Sequence, residues 1–221
     1  MKHQWLQHSE NAKNIIVFFS GWGFGATVVQ NLAIEEDTNV LFINDYRCLD
    51  YELPNLERYQ HRYLIAWSFG VAAYNAWQQQ SPHTPHFDSS VAINGSMTPV
   101  DRRTGIPNIV MQKTIDTLSV ESFQVFAKKC FDALDSGSHT PFAIDVDARK
   151  KELIHIQQWQ SSDKNLDTSL QWNKVWISKH DKIFPLRNLQ RAWQDHTERL
   201  EFIEAAHSPF NYWNNWSDII T

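Results

Sequence analysis

Only two cysteines occur in the 221 residues, Cys48 and Cys130, far apart and in no CxxC pair, which excludes a disulfide framework and a cysteine-ligated zinc site. Long apolar runs are missing too. The longest, Ile15–Phe19, is far short of a membrane span, and Met1-Lys2-His3-Gln4 lacks the charged-then-apolar order of a signal peptide, so the expected location is the cytoplasm. No block of basic residues and no basic-aromatic stripe appears, and the net charge is −5, which argues against nucleic acid as the main partner. Internal repeats and Gly/Ser- or Pro-rich linkers are absent as well. What is abundant is core material: 42% of residues are hydrophobic, with 13 Phe and 10 Trp, enough for one large domain spanning 1–221.

Short runs rich in β-branched and aromatic residues at 15–19, 40–43, 63–67, 91–93, 175–177 and, more weakly, 200–203 read as buried strands. Helical spacing at 71–79, 186–193 and 210–220 falls between or after them, which predicts an α/β fold with a mostly parallel sheet covered on both faces. Alternation fails over Met97–Gln171, where helical segments at 119–134 and 146–160 are separated by polar stretches around Gly137 and Ser161. These 75 residues exceed one crossover and predict an inserted helical lid; ordinary crossover helices are the alternative.

Ala66-Trp67-Ser68-Phe69-Gly70 ends a strand and opens a helix, the context of a nucleophile elbow, with Ala66 at the usual first Gly of G-x-S-x-G. Small residues flank such a serine because the tight turn brings neighbouring backbone into contact. A helix-capping serine is the competing reading of Ser68. Asp181 ends a strand, where open α/β sheets place their sites, and it is the candidate acid, with Asp195 and Asp163 as rivals. His207 follows the last strand and is the candidate base, ahead of His180 and His196, because Ser68, Asp181 and His207 then run in Ser-Asp-His chain order. Gly21-Trp22-Gly23-Phe24-Gly25 after the first strong strand is the expected oxyanion loop, with the backbone N–H groups of Trp22 and Phe69 as donors and both residues against substrate. The same glycines, with Asp45 at the next strand end, permit a nucleotide- or adenosylmethionine-binding reading, although the spacing is not G-x-G-x-x-G.

Together with Asn44-Asp45-Tyr46-Arg47, Asn94-Gly95 after Val91-Ala92-Ile93, Ser178-Lys179-His180-Asp181-Lys182-Ile183-Phe184 and Ala206-His207, these motifs resemble the BioG-type pimeloyl-acyl-carrier-protein methyl ester esterases of biotin synthesis over nearly the whole chain. Alanine at position 66 is similar to what that family uses. The resemblance implies the α/β-hydrolase fold, no metal or other cofactor, and a pimeloyl chain masked as a methyl ester and carried on acyl carrier protein as substrate and partner. Such a partner is acidic, so Arg102-Arg103, Lys128-Lys129 and Arg149-Lys150-Lys151 are candidate contacts, though 97–171 holds nine Lys/Arg against ten Asp/Glu. An esterase for another small acyl ester and a non-catalytic binding protein on the same scaffold remain as alternatives.

Overall fold

A computed structural model describes residues 1–81, 83–131, 144–161 and 170–221. Its strands are β1 (Lys2–Gln7), β2 (Asn14–Phe19), β3 (Thr38–Asn44), β4 (His61–Trp67), β5 (Ser89–Ile93), β6 (Trp172–Ser178) and β7 (Thr197–Ile203). The helices are α1 (Phe69–Gln80), α2 (Asn108–Asp116), α3 (Val120–Cys130), α4 (Val146–Ser161), α5 (Leu186–Trp193) and α6 (Ser217–Ile220). All seven strands form one sheet, ordered β1-β3-β2-β4-β5-β6-β7, in which only β1 runs antiparallel to its neighbour. This is the α/β-hydrolase architecture, a mostly parallel sheet flanked by helices.

The central strands are apolar on consecutive residues, because both of their faces are covered. Ile15 through Phe19 of β2 and Leu64 through Trp67 of β4 are all buried. Register pairs Phe19 with Ala66, Ala66 with Ala92 and Ile93 with Trp176. The C-terminal ends of β2, β4, β5 and β6 therefore share one edge, where their loops converge. Helix α1 packs its first nine residues entirely inside, and Tyr74 meets Phe19 and Trp172 edge-on at 5.3 and 5.8 Å. Trp193 of α5 donates its indole N–H to the Gly95 carbonyl at 2.8 Å, which ties that helix to the loop after β5.

Three features depart from the pattern read in the sequence. β1 was hidden because Lys-His-Gln-Trp-Leu-Gln is a half-exposed edge strand without an apolar run. The expected helix over 210–220 shrinks to Ser217–Ile220. Phe210, Trp213 and Trp216 are buried at helical spacing, but the chain delivers them through turns, and the Asn215 side chain accepts the Asp218 N–H at 2.9 Å and so starts the helix late. Helix α2 falls inside the stretch expected to be helical but was not among the segments singled out there. Helix α3 begins at Val120 behind a reciprocal cap between Ser119 and Ser122, whereas Leu134 and Gly137 lie outside the described residues.

The crossing of β2 and α1 leaves no room at Gly70. A Cβ there would stand 2.2 Å from the Phe19 carbonyl oxygen and 2.6 Å from that of Ser20, both backbone atoms that cannot rotate away. Gly70→Ala is expected to lower stability by roughly 3 kcal/mol, at the upper end of overpacking costs, read as a fall in the urea midpoint with unchanged m.

Candidate active site

Ser68 is held at φ 58°, ψ −127°, a conformation that costs a non-glycine residue free energy and that the surroundings must enforce. Its N–H donates to the Ile93 carbonyl at 2.9 Å, and its own carbonyl lies where a Cβ on Gly95 would approach to 2.3 Å. Although Ser68 stands at the N-cap of α1, its hydroxyl makes no capping hydrogen bond. It points instead to His207, with Oγ 2.9 Å from Nε2. The capping reading of this serine therefore fails.

Asp181 lies just beyond β6, and one of its oxygens accepts the N–H groups of Ile183 and Phe184 at 2.7 and 2.9 Å. That turn fixes the carboxylate so that the other oxygen faces His207 Nδ1 at 2.8 Å, with both side chains buried. An acceptor at Nδ1 keeps the proton there and leaves the Nε2 lone pair toward Ser68. The His207 loop is anchored through its own carbonyl, which accepts from the Trp67 indole at 2.8 Å and from the Asn94 amide at 2.9 Å. Asn94, at φ 45°, also bonds the Ser178 hydroxyl and N–H, both at 2.7 Å, and so joins the ends of β5 and β6 to the histidine loop. Phe184 stacks on the imidazole at 5.9 Å and 14°. The rivals lie elsewhere: His180 is exposed and pairs with Glu204, Asp195 is exposed, His196 makes no contact with Ser68, and Asp163 is outside the described residues.

Phe69 opens α1, where backbone N–H groups have no intrahelical acceptor, and among the described residues neither its N–H nor that of Trp22 has a hydrogen-bond partner. Both residues line a cavity of about 360 Å³ that reaches Ser68. Its walls come from α2, α3, α4 and the loops flanking α2, through residues such as Ile106, Met111, Leu118, Phe126 and Leu153, none of which sequence reasoning singled out. Their apolar character was visible, but nothing in their spacing tells a cavity wall from core. Two lysines, Lys129 and Lys182, complete the lining, and among the described residues no carboxylate is part of it.

The basic clusters fare differently. Arg102, Arg103, Lys128, Lys129 and Lys151 are exposed and Lys150 is half-buried. Arg149 turns inward: its guanidinium binds Glu152 at 2.5 Å and lies 3.5 Å from Asp45, so it is not free to meet a partner. Asp45, which the nucleotide reading needs for a ribose, is gripped by Arg47 at 2.6 and 2.7 Å. Burial alone would raise its pKa, but Arg47, Arg149 and Lys2 outweigh that and hold it at about 2. Moreover, the glycine loop leads into a four-residue 3-10 turn, Ala26–Val29, and not into a helix N-terminus that could cradle phosphates.

Fold and site together define an α/β-hydrolase. Comparison with known proteins narrows this, because the family model for the pimeloyl-ACP methyl esterase BioG matches residues 1–219, and the chain belongs to that family. The crystal structure of BioG from Haemophilus influenzae superposes with a TM-score of 0.88 at 27% identity, covering 100% of both chains. A malonyl-[acyl-carrier protein] O-methyltransferase of Bacteroides fragilis is 32% identical over 88% of this chain, which spans only 39% of that relative's length. An enol-lactonase from Burkholderia xenovorans shares the fold, with a TM-score of 0.63 at 13% identity over 94% of this chain and 89% of its own.

Glu152 is wholly buried, and burial pushes its pKa up to about 7, against the opposing pull of Arg149 and the Tyr46 N–H. A carboxyl with a raised native pKa favours folding below its unfolded value and loses that contribution as pH rises through about 7. Relative to Glu152→Gln, the wild type should therefore gain stability as pH is lowered from above about 7 toward about 4.5, measured by urea unfolding across that range. A difference that stays flat would contradict a buried, titrating Glu152.

Proposed function

We propose that this protein hydrolyses the methyl ester of pimeloyl-acyl carrier protein methyl ester, releasing pimeloyl-acyl carrier protein and methanol, through a Ser68-His207-Asp181 triad. The observation that carries the reading is the unbroken chain of hydrogen bonds from Asp181 through His207 to Ser68 at 2.8 and 2.9 Å, at the bottom of an apolar cavity. Ser68 Oγ attacks the ester carbonyl while His207 Nε2 takes its proton, and the negative charge moves to the carbonyl oxygen, where the Trp22 and Phe69 amides donate. Collapse of the tetrahedral adduct expels methoxide, which leaves as methanol with the proton from His207. Water then attacks the acyl-enzyme, gives a proton to His207, and frees the carboxylate and Ser68. Asp181 keeps the imidazole oriented and stabilises its protonated form without itself taking a proton. No metal or cofactor enters these steps.

Residues 97–171 act in this reading as the lid of a single hydrolase domain, with α2, α3 and α4 enclosing the acyl chain. The apolar lining suits methylenes, and a methyl ester is a small neutral group that seats beside Ser68 without a buried charge. Lys129 and Lys182 at the cavity suit the anionic arm and acidic surface of a carrier protein, and Arg102, Arg103, Lys128, Lys150 and Lys151 are further candidates for that surface. Arg149 is not among them.

Incubation with methyl pimeloyl-acyl carrier protein, followed by intact mass, should show loss of the methyl group with wild type and none with Ser68→Ala. Hydrolysis of a simple short-chain ester alone would keep the triad and discard this substrate, and turnover by Ser68→Ala would overturn the mechanism. Reversing charge in Lys129→Glu with Lys182→Glu should raise KM for the carrier-protein substrate about tenfold while leaving a small neutral ester unaffected.

A further inference from the structure

We propose that Glu152 and Arg149 of α4 are positioning residues for the oxyanion loop, fixing the Trp22 N–H through Tyr46 on one side and the Trp22 indole on the other. The inference rests on the reading of Trp22 as an oxyanion donor. The segment between β2 and Trp22 is only Ser20-Gly21, and it is fastened at both ends. Upstream, the Ser20 carbonyl accepts the Tyr46 hydroxyl at 2.6 Å, and the Ser20 N–H donates to Ile43 at 2.9 Å. Downstream, the Trp22 indole N–H donates to the Arg149 carbonyl at 3.0 Å, and its ring lies edge-on to Phe123 and Phe126 of α3 at 5.6 and 5.1 Å.

Both fastenings converge on one carboxylate. Tyr46 N–H donates to one oxygen of Glu152 at 2.8 Å, and the Arg149 guanidinium donates to the other. Arg149 also faces Asp45, which Arg47 and Lys2 hold from the β3 and β1 side, while His155 Nδ1 meets the Tyr46 carbonyl at 2.6 Å. A buried ion pair of this kind contributes little net stability compared with an apolar contact of the same size. What it supplies is a fixed geometry, because Tyr46 N–H to Glu152, Arg149 to Asp45 and the Trp22 indole to the Arg149 carbonyl all cross from α4 to the sheet, and a shift of the helix strains them together. The consequence is mechanical: the N–H that meets the oxyanion is placed by a helix of the proposed lid, so α4 and the catalytic edge of the sheet cannot move independently.

Hydrolysis of a short-chain ester by wild type, Trp22→Phe, Glu152→Gln and the double variant, in mildly alkaline buffer where Glu152 is ionised, tests this. Trp22→Phe keeps the aromatic packing and removes only the indole donor, so it stays informative even if Glu152→Gln folds poorly. Each single variant should lose about tenfold in kcat with KM unchanged, as expected for a displaced oxyanion donor. The double variant should fall no further than the weaker single one, because the two act through one linkage. Undiminished kcat in Trp22→Phe, a change confined to KM, or losses that multiply would overturn the proposal. An inactive wild type would sink the esterase reading first, whereas active wild type with undiminished variants sinks only this inference.

Discussion

The backbone of Ser68 is the constraint on which the rest depends. At φ 58° the residue is strained, and it persists because β4 enters the turn through the buried residues Leu64 to Trp67 and α1 leaves it jammed against β2. Gly70 lets α1 touch the Phe19 and Ser20 carbonyls, and Gly95 lets the loop after β5 pass under the Ser68 carbonyl. Side chains at either place would push the helix or the loop away and let the turn relax. The strain serves a purpose, since it lifts the hydroxyl off the helix terminus, where it would otherwise cap, and turns it toward His207.

Around that turn the polar groups form one connected set. Asn94 satisfies Ser178 and the His207 carbonyl at once, Trp67 donates to the same carbonyl, and Asp181 divides its two oxygens between a backbone turn and the imidazole. Each anchors a loop from a different strand, so Ser68, His207 and Asp181 owe their alignment to the sheet's register more than to their immediate neighbours. On the other flank, the network of Asp45, Arg149, Glu152 and Tyr46 does the corresponding work for the glycine loop. A buried carboxylate with pKa pushed up to about 7 is a costly device, and it is placed where geometry is worth more than stability.

Much of this was legible from residues alone, and for identifiable reasons. Strands β2 to β6 announced themselves because a sheet covered on both faces needs consecutive apolar residues, whereas the edge strands need none: β7 showed only weakly through Leu200 to Ile203, and β1 was hidden. Ser68, Asp181 and His207 were readable because each follows a strand, and the parallel sheet gathers strand ends at one edge. Asn94 carried a visible Asn-Gly signal at the end of β5, but its role depends on a left-handed backbone and on partners 84 and 113 residues away. The cavity wall was hidden because Ile106, Met111 and Leu153 look like any core residues. Arg149 was misleading: within Arg-Lys-Lys it reads as surface charge, and only the fold shows that Asp45 and Glu152 draw it inward.

The central claim is that Ser68 is a nucleophile activated by His207. Its most direct test is treatment of the folded protein with a fluorophosphonate, followed by peptide mass mapping, with His207→Ala in parallel. A single adduct on Ser68 is expected in the wild type and little or none in the variant. An adduct on another residue, or equal labelling of Ser68 without His207, would contradict it.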